Sequence, residues 1–133
     1  MLRRTEKYEG KITSILGEGS EFKGTLTYNG TIRIDGNFEG EIISNGTVII
    51  GEKAKIKADI LTRICIIGGS YEGDITAKER IELLPSAVVK GNLKSPSLSI
   101  ADGVVLEGQC IIDRSLLDQK KIDITEKVKS SEK

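Results

Sequence analysis

Apolar and polar residues alternate along this chain in blocks that keep returning. Thr31-Ile32-Arg33-Ile34 has the two-residue rhythm of a half-buried strand, and it recurs sixteen residues later as Thr47-Val48-Ile49-Ile50. The Asn29-Gly30 before it recurs as Asn45-Gly46, and Ile15-Leu16-Gly17-Glu18 returns as Ile49-Ile50-Gly51-Glu52 at an offset of 34, two turns of 17. A second motif, apolar-x-Gly-x-apolar, occurs at Phe22/Gly24/Leu26 and Phe38/Gly40/Ile42. It continues at Ile56/Ala58/Ile60, Tyr71/Gly73/Ile75, Val89/Gly91/Leu93 and Leu106/Gly108/Cys110, its centre advancing by 16, 18, 15, 18 and 17 residues. No stretch before about residue 114 carries a helical stripe.

A period near 17 is too short for a helix pair or a propeller blade, and it fits one coil of a parallel β-helix. The pattern predicts an all-β, single-domain solenoid of about six coils over residues 15–113, with mostly disordered polar tails at 1–14 and 114–133. With strands stacked about 4.8 Å apart, the rod is roughly 30 Å long. Alignment of the copies predicts one inward column of Leu16, Ile34, Ile50, Ile66, Leu83 and Ile100, and a neighbour of Ile32, Val48, Ile64, Ile81 and Leu98. Cys65 then points outward, between Ile49 and Glu82. Because Ala58 occupies one glycine slot, the small residues there are expected to answer the close approach of an opposite wall rather than a positive φ. The residue before that slot reads Lys23, Glu39, Lys57, Glu72, Lys90, Glu107, an alternating ladder that supports the register.

Composition removes most chemistry. Lys and Arg total 20, Asp and Glu total 20, aromatics are 4% and histidine is absent. A balanced charge with few rings argues against a nucleic-acid groove. The lack of histidine removes His-based triads, the usual zinc sites and the commonest general base. Two cysteines 45 residues apart suggest neither a metal site nor a disulfide scaffold, and both are expected to remain thiols. The longest aliphatic run, Ile64-Cys65-Ile66-Ile67, is far too short to span a membrane. Gly17-Glu18-Gly19 with Gly24 misses the phosphate-loop pattern and reads as a solenoid turn. Glu41, Asp59 and Asp74 share a face, which reads as a solvated acidic surface rather than a converging catalytic site. No cofactor, metal, nucleotide or nucleic acid is expected, and no enzymatic activity.

The run Ile81-Glu82-Leu83-Leu84-Pro85-Ser86-Ala87-Val88-Val89-Lys90-Gly91-Asn92-Leu93, followed by Ser97-Leu98-Ser99-Ile100-Ala101-Asp102-Gly103-Val104-Val105-Leu106-Glu107-Gly108-Gln109-Cys110, resembles the bactofilins, bacterial cytoskeletal proteins. The resemblance covers about residues 15–113. It implies a right-handed β-helix that polymerises end to end without nucleotide into non-polar filaments. It also implies attachment of a short N-terminal tail to the inner face of the cytoplasmic membrane, and a scaffolding role in cell shape and envelope organisation, with cell-wall-modifying enzymes as candidate partners. One departure is Leu106, where the family often carries an aromatic.

The ends of the rod point to self-assembly on physical grounds. A monomeric solenoid needs polar capping coils, and neither flank resembles one. The first coil offers Leu16, Phe22 and Leu26 as an N-terminal polymer face; the last offers Leu98, Ile100, Val104, Leu106 and Ile111 as a C-terminal one. Met1, Leu2, Arg3 and Arg4 pair two apolar residues with two cations and form the candidate membrane contact, each cation adding about 1 kcal/mol on anionic lipid. The ladder, which starts with Lys23 and ends with Glu107, would suit head-to-tail stacking; the resemblance implies like ends joined, and apolar faces outweigh surface ion pairs. The alternatives are a β-helical enzyme of acyltransferase or lyase type, or a monomeric binding solenoid.

Overall fold

The computed structural model describes residues 12–119, with side chains described from Leu16 to Leu116. The membrane-contact candidates Met1, Leu2, Arg3 and Arg4, and the C-terminal residues 120–133, lie outside the described residues. Ten strands form a single sheet in which every pairing is parallel. One stack contains β2 (Glu21–Tyr28), β4 (Asn37–Ser44), the first halves of β6 (Lys55–Ile67) and β7 (Ser70–Leu83), β8 (Val88–Ser95) and β10 (Val105–Ile112). The other contains β1 (Ile12–Leu16), β3 (Thr31–Ile34), β5 (Thr47–Ile50), the second halves of β6 and β7, and β9 (Leu98–Ile100). Each stack is six rungs deep, so five turns of about 17 residues separate the first rung from the last. The fold is the parallel β-solenoid that the repeat predicts. Its first strand begins at Ile12, inside the expected tail, and a short 3-10 turn, Arg114–Gln119, follows the last strand.

The motif registers as the repeat requires. Phe22, Phe38, Ile56, Tyr71, Val89 and Leu106 stack on one another, and so do Leu26, Ile42, Ile60, Ile75, Leu93 and Cys110. These columns line the interior, where the middle-rung members are at most 3% exposed. Two polar side chains inside the corner are satisfied locally: the Thr62 hydroxyl donates to Gly46 O (2.8 Å), and Ser44 Oγ accepts from Gly46 N (2.9 Å). The buried Tyr71 hydroxyl donates to Ala58 O, so the one ring in mid-core has an internal partner.

Two inward columns differ from the sequence expectation at one rung. Val48 pairs with Cys65 and Ile50 with Ile67, so Cys65 and Ile67, not Ile64 and Ile66, face the interior at the fourth rung. Cys65 is fully buried between Val48 and Ile81, while Ile64 and Ile66 lie on the outer face with Ile49. The run Ile64-Cys65-Ile66-Ile67 is apolar at every position and carries no alternation to set its parity. The corner then decides, because β6 rounds it without a break and its pairing with β7 slips between Thr62 and Ile64.

The glycine column also needs correction. Gly24, Gly40, Gly73, Gly91 and Gly108 all have φ between +136° and +140°, a region that L side chains avoid. A Cβ at Gly40, Gly91 or Gly108 would strike the carbonyl oxygen of the glycine one rung earlier, not an opposite wall. Ala58 escapes because it has no positive φ, and the Cα pairing of β6 with β7 passes over Ala58 and Asp59 before resuming at Ile60. The kink is thus relaxed at one rung and enforced at the others.

The stacked glycines give a graded prediction. Gly17→Ala, at a position with open space and no positive φ, should leave the thermal midpoint nearly unchanged. Gly24→Ala meets only the Phe22 ring at 3.8 Å and should lose about 1–3 kcal/mol through backbone strain. Gly91→Ala combines that strain with a backbone clash and should lose more than Gly24→Ala. Thermal melts followed by circular dichroism rank the three, and equal losses at Gly24 and Gly91 would remove the clash from the explanation.

Candidate functional site: the two ends of the rod

Stacking satisfies every inner rung from both sides and leaves the outer two satisfied from one. The contrast is measurable within a single column. Phe38 is 2% exposed and Phe22, its neighbour at the open end, is 37% exposed; Leu83 is 1% exposed and Ile100, directly above it, is 47%. Phe22 and Phe38 stack nearly parallel, ring centroids 5.0 Å apart, so the outer ring shows its other face to solvent. Leu16 and Leu26 are half-buried beside it. These three expected N-terminal residues are therefore brought onto one face.

At the other end, Leu98, Val104 and Leu106 are half-buried against the core and Ile100 is exposed. Leu106 rests on Val89 in the last described rung of its column. Ile111 is 46% exposed, but it pairs with Lys94 and alternates with the inward Cys110, so it sits on the outer wall beside this face rather than in its centre. Ile112 was not foreseen. It ends the inward corner column above Ser95 and is 53% exposed. Its signal is its place at the close of the apolar Cys110-Ile111-Ile112 run. Each end also carries one edge of backbone without a strand beside it among the described residues, which is a template for further pairing.

The outer surface offers scaffolding rather than chemistry. The ladder residues Lys23, Glu39, Lys57, Glu72, Lys90 and Glu107 stack in register, with Lys23 Nζ 4.0 Å from Glu39 Oε1. Both members of that pair are well exposed, so its contribution falls in the range of about 0–1 kcal/mol. Glu41 stacks on Asp59, and the next carboxylates serve as backbone acceptors: Asp59 Oδ1 accepts from Asp74 N (3.2 Å) and Asp74 Oδ1 from Asn92 N (3.4 Å). Among the described residues no group of His, Cys, Asp and Glu is placed to hold a metal ion, and no helix is long and apolar enough to cross a membrane. Both thiols are free: burial pushes Cys65 up to about 12, and partial burial also raises Cys110, which is exposed at the open end.

Among the described residues both ends of the solenoid are apolar rungs with no strand beyond them, an architecture that further strand pairing can extend. The comparisons agree. Residues 14–111 match the family model Bactofilin, described as polymer-forming cytoskeletal, and the chain belongs to that family. It is 27% identical over 96 residues to bactofilin BacP of Myxococcus xanthus (strain DK1622), covering 72% of this chain and 40% of that protein. It is also 27% identical over 100 residues to BacO of the same organism, covering 75% of this chain and 79% of that one. Among solved structures it is similar to the Thermus thermophilus bactofilin in its double helical filaments, determined by cryo-EM. The TM-score is 0.70 and the identity 28%, covering 74% of this chain and 97% of that one.

The two thiols provide a check on the register. At pH 8 an aromatic disulfide reagent should titrate Cys110 alone in dispersed, folded subunits, because Cys65 stays protonated and enclosed up to about 12. Denaturant should release the second thiol. Equal reactivity of both in the folded protein would return Cys65 to the outer face.

Proposed function

We propose that this chain is a cytoskeletal subunit whose rods join end to end into non-polar filaments without nucleotide. The proposed filaments lie along the inner face of the cytoplasmic membrane and support cell shape and envelope organisation. The observation that carries the reading is the exposure gradient at the ends: side chains that are buried in every middle rung are one-third to one-half exposed at Phe22 and Ile100. Fully burying one such side chain is worth about 1.5–3 kcal/mol, so a face of three to five of them supplies most of an association energy. The ladder, a few exposed ion pairs, supplies little. Like-to-like contact, N-terminal face on N-terminal face, is the proposed arrangement: the charge ladder that would favour head-to-tail stacking contributes little, and a two-fold axis lets an apolar face meet its own copy. The similarity to a bactofilin solved as filaments supports the same reading.

Membrane contact rests on Met1, Leu2, Arg3 and Arg4. One such tail binds weakly, and a filament presents many in a row, which raises the effective affinity by avidity. Cell-wall-modifying enzymes are the proposed clients of the assembled scaffold.

Leu106→Arg tests the end face. The substitution sets a charge against an apolar partner face at a cost of several kcal/mol within the contact, while in the free subunit the side chain reaches water from the open end. The variant should remain folded by circular dichroism and sediment as a species no larger than a dimer joined through the untouched N-terminal face. Long filaments from this variant in electron micrographs would remove Leu106 from the interface, and a reconstruction with all subunits pointing one way would overturn the like-to-like arrangement. Deleting residues 1–4 should release filaments from anionic liposomes; unchanged co-sedimentation would remove the tail from membrane binding.

A further inference from the structure

One wall of the rod is open from its first rung to its last. In the stack of β2, β4, the first halves of β6 and β7, β8 and β10, two outward columns run along the axis, and every residue in them is exposed. One is the charge ladder, Lys23, Glu39, Lys57, Glu72, Lys90 and Glu107; its neighbour begins at Glu21 and ends at Val105. A shallow groove follows the two columns, with a volume of about 290 Å³ over the first three rungs and about 210 Å³ over the third to fifth. The ladder's charges are not consumed within the chain. Lys23 reaches Glu39 only at 4.0 Å, and among the described residues Lys57, Glu72, Lys90 and Glu107 make no ion pair within that distance.

We propose that this wall binds the same wall of a second copy lying antiparallel, so that rods associate side by side through their ladders. The ladder alternates in sign over an even number of rungs, and such a ladder is the complement of its own reverse. A two-fold axis along the strand direction, between the rungs of Lys57 and Glu72, sets Lys23 against Glu107, Glu39 against Lys90 and Lys57 against Glu72, each pair formed twice. Parallel copies in step would set lysine on lysine and glutamate on glutamate at every rung. Parallel copies offset by one rung match in sign, but they lose a pair and leave a contact that does not close. The neighbouring column accepts the antiparallel arrangement: Glu21 meets Val105, Asn37 meets Val88 and Lys55 meets Ser70, with no like charges opposed. On the other side of the glycine kink Asp59 meets Asp74, the one like-charged pair of the three columns, which sets the contact on the side where the groove lies. Exposed ion pairs are individually weak, so the ladder fixes direction and register, and repetition along a row of rods supplies avidity. Salt screens such pairs, the Debye length falling from about 10 Å at 0.1 M to about 3 Å at 1 M. Apolar end faces do not weaken in this way, so ionic strength separates the two contacts.

Zero-length carbodiimide cross-linking of the full chain tests this, with isotopically labelled and unlabelled protein mixed and the products read by mass spectrometry. The diagnostic product joins Glu39 of one copy to Lys90 of the other. Within one chain these residues are three rungs apart, about 14 Å at strand spacing, too far for a direct amide. Contact between rod ends, of either polarity, does not bring them together. The mixed-label product should form at about 0.1 M salt and fall about tenfold at about 1 M. In Lys57→Gln/Glu72→Gln, which removes the two central pairs without stacking like charges, it should fall about threefold. The product is scored in dispersed subunits as well as in filaments, so its absence and a failure of end-to-end joining are distinguishable. Absence of the mixed-label product at low salt overturns the proposal, as does a yield that high salt leaves unchanged. A variant that keeps its β-type circular dichroism and the wild-type yield overturns it too; if that signal is lost, the salt comparison alone decides. Mixed-label products confined to Lys23–Glu107 would mean head-to-tail stacking, and those confined to neighbouring rungs a staggered parallel contact; either result overturns it.

Discussion

Every described strand in this protein finds its hydrogen-bond partners one turn of chain away, in parallel and in register. That requirement governs the rest of the structure. A sheet built this way places each residue on its counterpart in the next coil, so a preference at one rung becomes a column of the same preference. Isoleucines accumulate inside because each packs on the last. Glycines accumulate at the kink because a side chain at one would strike the backbone of another. The same rule leaves the first and last described rungs paired on one side only.

Much of this was legible in the sequence, because a column is a repeat seen from the side. The period, the six rungs, the flanking apolar columns and the charge ladder all follow from spacings of 15 to 18 residues, and each stands in the structure at the register those spacings set. The failures share a cause. Alternation reports which face a residue takes only where polar residues interrupt the apolar ones, and Ile64 to Ile67 offers no interruption. The corner before that run differs in length from its neighbours, so counting forward from Ile60 fixes nothing. The glycine kink was misread for a different reason. One alanine in six copies does not exclude a positive φ at the other five, because the pairing with β7 passes over Ala58. Leu16, Phe22, Leu26, Leu98, Ile100 and Leu106 are legible as outer members of inward columns, and their pairing with another rod is the proposal made above. Ile112 is not legible, because the column beneath it is Ser95, Ala77, Thr62 and Ser44, small residues that do not advertise an interior.

The corrected register changes what the outer wall means. With Ile64 and Ile66 inside, that wall would show Arg33, Ile49, Cys65 and Glu82, an ordinary mixed surface. With them outside, it holds three isoleucines in a cluster, at positions where the opposite stack carries lysine and glutamate. An exposed apolar patch on a rod that polymerises would be a second adhesive surface, perpendicular to the first, but these isoleucines are only 3–7% exposed. A subunit with both exposed has no means of choosing between lengthening and bundling.

The chemistry of the two surfaces separates those tasks. An end face presents apolar side chains together with an open strand edge, so a partner gains burial and backbone hydrogen bonds at once. The outer wall presents side chains alone, since its backbone groups are already committed to the rungs above and below. The Asp113–Ser115 turn sends the chain back over β7 and away from Leu106, Ile100 and Ile112. Growth along the axis then depends on apolar columns that have run out of partners.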